Sequence, residues 1–413
     1  MAARAIKTNP TASLAGTPWI AFAFLSIAGF TQYGLGAATP YLRTDLRLTA
    51  FEAGLHASAL AIGALTAGAT ADRIARAVGL RRLPDLEAVL IVIGVVMLAL
   101  APGLPVSLAG AGVFGLGSGI LGMDVNLRFG RYGARSRVVI SQAHGLAMVA
   151  AVLSPLAIGL AFSELHNWRI ALGLPIAAIL ALVLFRTRHD DPQKSTRAPK
   201  VRLPGAYWIV WLFIGLAVSI EFSFVYWSST MVSQRAGIDS ASATLMASLF
   251  VVGMLVGRLA AGGGLGAGRS PRLILALGLA LAFAGACTVW LSTVPAVSAV
   301  GLLLGGLGVS GLFPVGLSVA LQAAPEAQLQ ASARVTLASG AAILLAPSAL
   351  GLAADAVGVV GAWAIVPGLA IAALTVVATM PSGRPLPDVL PDVLPDIVMD
   401  AKLEMDATLE VAS

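Results

Sequence analysis

Residues 88–123 read AVLIVIGVVMLALAPGLPVSLAGAGVFGLGSGILGM, with no charged side chain in the run. A helix rises about 1.5 Å per residue, so about 20 apolar residues cross the hydrocarbon layer of a bilayer. The run is too long for one crossing, and it carries a break at Ala101-Pro102-Gly103-Leu104-Pro105. It therefore reads as two membrane helices joined by a tight turn. Residues 273–325 repeat the pattern, again uncharged, with the break at Ser292-Thr293-Val294-Pro295. Barrel strands would alternate in polarity over about ten residues, and that alternation is missing.

The rest of the 413-residue chain has the same character, 58% hydrophobic and 11% charged, which is far too apolar for a set of soluble domains. A charge at the bilayer centre costs about 3 kcal/mol or more, so charges punctuate the spans. Reading between them gives an all-α membrane protein of twelve transmembrane helices. The spans run roughly over 18–40, 50–71, 86–102, 105–127, 138–162, 168–186, 205–229, 241–262, 272–291, 296–321, 331–354 and 358–380. Arg4 and Lys7 precede the first, which is too long for the apolar core of a cleavable signal. With the N-terminus inside, the external loops hold only Arg43, Arg47, Arg169 and Arg235. That bias places both termini in the cytoplasm and predicts a multi-pass protein of the bacterial plasma membrane. Trp168, Trp227, Trp290 and Trp363 fall near outer ends and are expected at the membrane interface.

The polar stretch RTRHDDPQKSTRAPKVR, 186–202, divides the spans six and six. It marks a cytoplasmic linker, 187–204, between bundles 18–186 and 205–380, after a cytoplasmic N-terminus at 1–17. Short similarities lie near 190 residues apart: Gly63-Ala64-Leu65 with Gly253-Met254-Leu255, Gly115-Leu116-Gly117-Ser118-Gly119 with Gly306–Gly311, and Pro155/Gly159 with Pro347/Gly351. Two homologous, pseudo-symmetric six-helix bundles are therefore expected. Residues 381–413 are acidic and carry Pro387, Pro391 and Pro395 at every fourth position, which forbids a regular helix and predicts a mobile cytoplasmic tail.

Several function classes drop out. One cysteine, Cys287, makes neither an internal disulfide nor a thiolate cluster, and His56, His144, His166 and His189 are scattered, so neither metal, cofactor nor enzyme chemistry is expected. The net charge of +6 lies in interhelical clusters, without the continuous basic face that nucleic acid requires. Gly263–Ser270 and Gly306–Gly311 imitate nucleotide loops, but they lack the strand–turn–helix setting those loops need. No loop has room for an ATPase, so pumping must draw on a gradient.

After the second span comes Gly68-Ala69-Thr70-Ala71-Asp72-Arg73-Ile74-Ala75-Arg76, in what reads as a loop. This resembles the signature of the major facilitator superfamily, departing from it at Ala75 and Ala77. With the spans, the linker and Pro155 and Pro347, the resemblance covers about residues 15–380. It implies a rocker-switch transporter acting on a small-molecule substrate, with Gly68, Asp72, Arg73 and Arg76 in a cytoplasmic gate. Arg258 is either their counterpart in the second half or an interface anchor. The alternative for the Asp-Arg pair is a solvated ion pair worth under about 1 kcal/mol. Ala111 and Ser154-Pro155 depart from the drug–proton antiporter branch.

Intramembrane ionisable groups are the coupling candidates, because their desolvation must be compensated. Glu221 lies mid-span in Ser219-Ile220-Glu221-Phe222-Ser223-Phe224, without an opposite charge nearby in sequence. A carboxyl there that titrates near neutrality can carry a proton; the alternative is a structural acid. Asp124 and Asn126 in span four, and Gln142 and His144 in span five, lie near one inner level and can face a common cavity; Asp124 can also pair locally with Arg128. The order Gly115-x-Gly117-x-Gly119, Asp124, Asn126, then His144-Gly145 is similar to a poorly characterised bacterial branch distantly related to fucose–proton symporters. Gln32 and Tyr33 in span one are cavity-lining candidates. The reading is a monomeric secondary transporter of a small organic solute driven by protons, with drug or metabolite efflux or a non-transporting sensor as alternatives.

Overall fold

The structure, a computed structural model, describes residues 18–79, 82–129, 136–184, 202–260 and 268–380. These residues form helices, and no strand occurs among them. The helices are α1 Pro18–Asp45, α2 Ala50–Val78, α3 Leu83–Ala99, α4 Leu104–Phe129, α5 Ser136–Leu165, α6 Arg169–Leu184, α7 Gly205–Ala236, α8 Ser240–Ala260, α9 Pro271–Leu291, α10 Pro295–Val309, α11 Leu312–Ala323, α12 Gln328–Ala362 and α13 Ile365–Thr379. Nine segments among the described residues are long and apolar enough to cross a bilayer; one of them, Pro295–Ala323, joins α10 and α11 through the break at Ser310-Gly311. An α-helix satisfies its own backbone, which is why so apolar a chain takes this form. Residues 187–201 of the expected linker and both terminal segments lie outside the described residues.

Local chemistry places the ends. Proline sits in the first turn of α3, α9 and α10, where its missing N–H costs nothing. Ser270 Oγ accepts the Leu273 N–H to cap α9, and α7 stops on Gly237 in the left-handed region at φ 66°. Within α12 the helix breaks at Gly358, φ 77° and ψ 159°, where the last span was expected to begin. One expectation needs correction. Gly68 to Arg76 does not lie in a loop, because α2 runs on to Val78 and Thr70–Val78 holds neither glycine nor proline to stop it.

Helix crossings are set by glycine, as expected where lipid offers no hydrophobic contrast and van der Waals packing drives association. A Cβ on Gly63 of α2 would collide with Gly112 O and Leu116 N of α4; one on Gly253 of α8 would collide with Leu303 O and Leu307 N of α10. Gly115 meets Leu60 O as Gly306 meets Phe250 O, and Gly110 meets Gly94 O as Gly301 meets Gly285 O. The same crossing thus recurs 190 or 191 positions along the chain.

The first six helices meet the later ones mainly through α2 with α12, α5 with α8, and α1 with α7. These contacts crowd toward the end bearing the turns 46–49, 166–168 and 237–239, here called the distal face. Gly54 packs on Pro347 O, Gly351 on Ala50 O, and Gly159 on Leu245. Ser58 Oγ bonds Leu344 O at 2.5 Å and Ser348 Oγ at 2.6 Å, and Tyr41 Oη donates to Ser240 O and Thr244 Oγ1 at 3.0 Å.

The tryptophans expected at the interface include two that are fully buried. Trp227 Nε1 donates to Pro347 O at 3.0 Å and Trp363 Nε1 to Ala286 O at 3.1 Å, both rings at 0% exposure. An indole N–H that finds a carbonyl can be buried whole, so position near a span's end did not decide its environment.

Candidate functional site

α1 and α7 run parallel and close because Gly36 faces Val225: a Cβ at Gly36 would stand 2.6 Å from Val225 Cγ1 and 2.7 Å from its carbonyl oxygen. One turn back on each helix, on the same face, are Tyr33 and Glu221. Tyr33 Oη donates to Glu221 Oε1 at 2.5 Å, and both side chains are buried. Two candidates separated by 188 residues, one read as proton carrier and the other as cavity lining, are thus one hydrogen-bonded pair.

Aromatic rings enclose the pair. The Tyr33 and Phe222 centroids lie 6.5 Å apart, and Phe222 stacks on Tyr226 at 6.4 Å. Tyr226 Oη and Ser154 Oγ are buried with no hydrogen-bond partner among the described residues. Ser154 sits against Gly34 on α1, beside Tyr33. Sequence reading noted Ser154 only in the Ser154-Pro155 pair that departs from the drug–proton antiporter branch, and not as a site residue.

Glu221 has no cation close in sequence, and the fold supplies one. The Arg258 guanidinium, from α8, acts electrostatically on Glu221, on Tyr33 and on His144 of α5. Gly257 permits this by letting α8 close on Ser310. Arg258 Nε is itself buried without a hydrogen-bond partner among the described residues.

The other candidates are more dispersed. Asp124 is buried in α4, whereas His144 is exposed on α5. The side chains of Asn126 and Gln142 lie outside the described residues, as do those of Asp72 and Arg76, so the proposed four-residue cavity of spans four and five has only Asp124 and His144 to represent it. Gln32 is half-buried beside Tyr33, Arg73 is exposed near the end of α2, and Gly68 has open space where a Cβ would stand.

Asp355, which sequence reading passed over, joins the halves at the distal face. From α12 its Oδ1 accepts the Ala50 N–H at 2.7 Å and its Oδ2 the Phe51 N–H at 2.8 Å, capping α2 in trans. The same turn has a capping box of its own: Thr49 N–H donates to Glu52 Oε2 and Glu52 N–H to Thr49 Oγ1. The signal available was a lone acid in the apolar stretch 350–360.

No family model matches the chain. The glucose transporter GlcP of Staphylococcus epidermidis is 24% identical over 157 residues, 38% of this chain and 35% of that protein, so the match spans about a third of that relative's length. Among solved structures, a POT family transporter in complex with a thioalcohol-conjugated peptide has a TM-score of 0.72 at 15% identity, covering 88% of this chain and 94% of that one. The nucleoside transporter NupG gives 0.73 at 13% identity over 88% and 100%. A bacterial homolog of the human lysosomal transporter Spinster, inward-facing and occupied, gives 0.65 at 12% identity over 88% and 94%.

Proposed function

With the major facilitator fold as premise, we propose that this chain is a proton-coupled secondary transporter of a small organic solute. Two six-helix bundles, 18–186 and 205–380, rock about a central cavity, and Glu221 is the group that takes up and releases the proton. The observation that carries the proposal is the buried Tyr33–Glu221 hydrogen bond, because it joins α1 of one bundle to α7 of the other at mid-depth. The repeated glycine crossings support the pseudo-symmetry that rocking requires.

In this reading the ionised Glu221 is held by the Tyr33 hydroxyl and attracted by Arg258. Protonation cancels the attraction and leaves the Arg258 guanidinium, a planar set of donors, to be satisfied by acceptor groups of the solute. The two bundle arrangements then differ in energy by an amount that depends on proton and solute together, which is the condition for coupling. Asp124 and His144 are second candidates for the coupled proton. Both termini lie in the cytoplasm of a bacterial cell and the distal face is external. The crowded distal contacts favour a cavity open to the cytoplasm. Gly68, Asp72, Arg73 and Arg76, with Arg258 opposite, act at the gate that closes there in the other state.

Glu221→Gln tests this in proteoliposomes, with a solute found by thermal-shift screening of metabolites. Flux driven by a pH gradient is expected to be lost, while solute exchange at equal pH persists. Unchanged dependence on the pH gradient would remove Glu221 from the mechanism.

A further inference from the structure

At the distal face a cavity of about 320 Å³ opens between the ends of α1, α7 and α8. Arg43 and Arg47 form the α1 side, and Ser229, Thr230, Ser233 and Gln234 form the α7 side. The volume is at the lower end of the range for small-molecule sites. We propose that this cavity binds an anionic group, carboxylate or phosphate, at a place separate from Glu221.

The nearest acids have partners of their own. Asp45, between the two arginines in sequence, turns away to Arg169 Nη1 at 2.6 Å and Trp168 Nε1 at 3.0 Å. Asp239, beside the mouth, accepts the Ser242 N–H at 2.9 Å and so serves the first turn of α8. Arg43 is also held in place. Arg43 Nε donates to Leu48 O at 3.2 Å, which leaves its terminal nitrogens for an incoming group. Arg47 lies in the left-handed region at φ 54°, a conformation that costs a non-glycine residue and that lifts it out of the α1 helix.

Opposite them, Ser229 is 3% exposed and its Oγ has no hydrogen-bond partner among the described residues. A buried hydroxyl without a partner behind the cavity wall is an unused donor that rotation about χ1 brings to an occupant. Two guanidinium groups, with nine N–H donors left between them, facing such a wall suit a compact anion. Because the walls come from α1 on one side and from α7 and α8 on the other, an occupant bridges the first six helices to the later ones and holds the distal face shut. The central position of α1 and α7 favours a water-borne anion, while a phospholipid headgroup offers the same phosphate chemistry.

The test uses full-length purified protein and thermal stability as readout. In lipid-free micelles, citrate and inorganic phosphate should raise Tm at fixed ionic strength, whereas sodium chloride and glucose should not. Arg43→Gln with Arg47→Gln should weaken that response about tenfold in ligand concentration, and Arg47→Gln alone, on an exposed turn, should weaken it measurably should the double variant fold poorly. Ser229→Ala should weaken it about fivefold. If the response appears only on moving from phosphatidylcholine to phosphatidylglycerol nanodiscs, and is lost in the arginine variants, the anion is a lipid headgroup. A response equal in wild type and all arginine variants, or none to any anion in micelles or nanodiscs, overturns the proposal.

Discussion

Removing the Asp355 carboxylate should open the distal face. In the structure it accepts two backbone N–H groups of α2, at 2.7 and 2.8 Å, from across the α2–α12 contact. A hydrogen bond to a charged group contributes about 1.5–3 kcal/mol, and a carboxylate at a helix N-terminus adds about 0.3–1 kcal/mol. Asp355 is exposed, as is one of its two bonds, which weakens them, so the net preference for the closed face is about 2–3 kcal/mol, or about 30- to 150-fold in population. Asp355→Ala should raise the open population by that factor, and Asp355→Asn, which keeps an acceptor but not the charge, by less. The assay is maleimide labelling of a cysteine at Ser348, which is buried against Ser58 at this contact, in a Cys287→Ser background. Thr49→Ala is the control, because it removes the capping box within α2 without touching α12, and it should not speed labelling comparably. Labelling unchanged in Asp355→Ala, against faster labelling in Thr49→Ala, would refute the reasoning.

Further expectations follow from single contacts. Tyr33→Phe should keep the protein folded but shift the pH profile of flux relative to wild type, since it removes a donor from Glu221; an identical profile would show that the hydrogen bond is idle in transport. Gly306→Leu should prevent isolation of monodisperse protein, because Phe250 O and Met254 N occupy the space, whereas Gly122→Ala, with nothing within 4 Å, should behave as wild type in size-exclusion chromatography. The Asp239 carboxyl is held below its ordinary range chiefly by hydrogen bonds from Ser242, side chain and then backbone. Its contribution to the α8 cap is therefore complete above the ordinary carboxylate range and fades as pH falls from that range through the depressed value. The protection of the Ser242 amide, its exchange rate referred to the intrinsic rate at each pH, should fall on acidification in wild type, and Asp239→Ala should remove that fall.

The amino-acid sequence by itself determined the helices, where most of them end, and which side chains stand out as costly. An uncharged run such as 88–123 has one way to satisfy its backbone in hydrocarbon, and Pro102 to Pro105 has one way to interrupt it. Glu221 was legible because an isolated acid in an apolar span demands compensation, and the glycine repeats were legible because close crossings tolerate no Cβ. What compensates Glu221 was decided by tertiary structure alone. Tyr33 arrives from 188 residues away and Arg258 from another helix, and neither pairing leaves a mark in local periodicity. The burial of Trp227, the trans cap from Asp355 and the position of Arg43 and Arg47 at one cavity belong to the same class. In water, a polar face and an apolar face tell each helix which side turns inward. In a bilayer both sides are apolar, so that contrast is lost, and the convergence of faces is fixed by packing between helices distant in the chain.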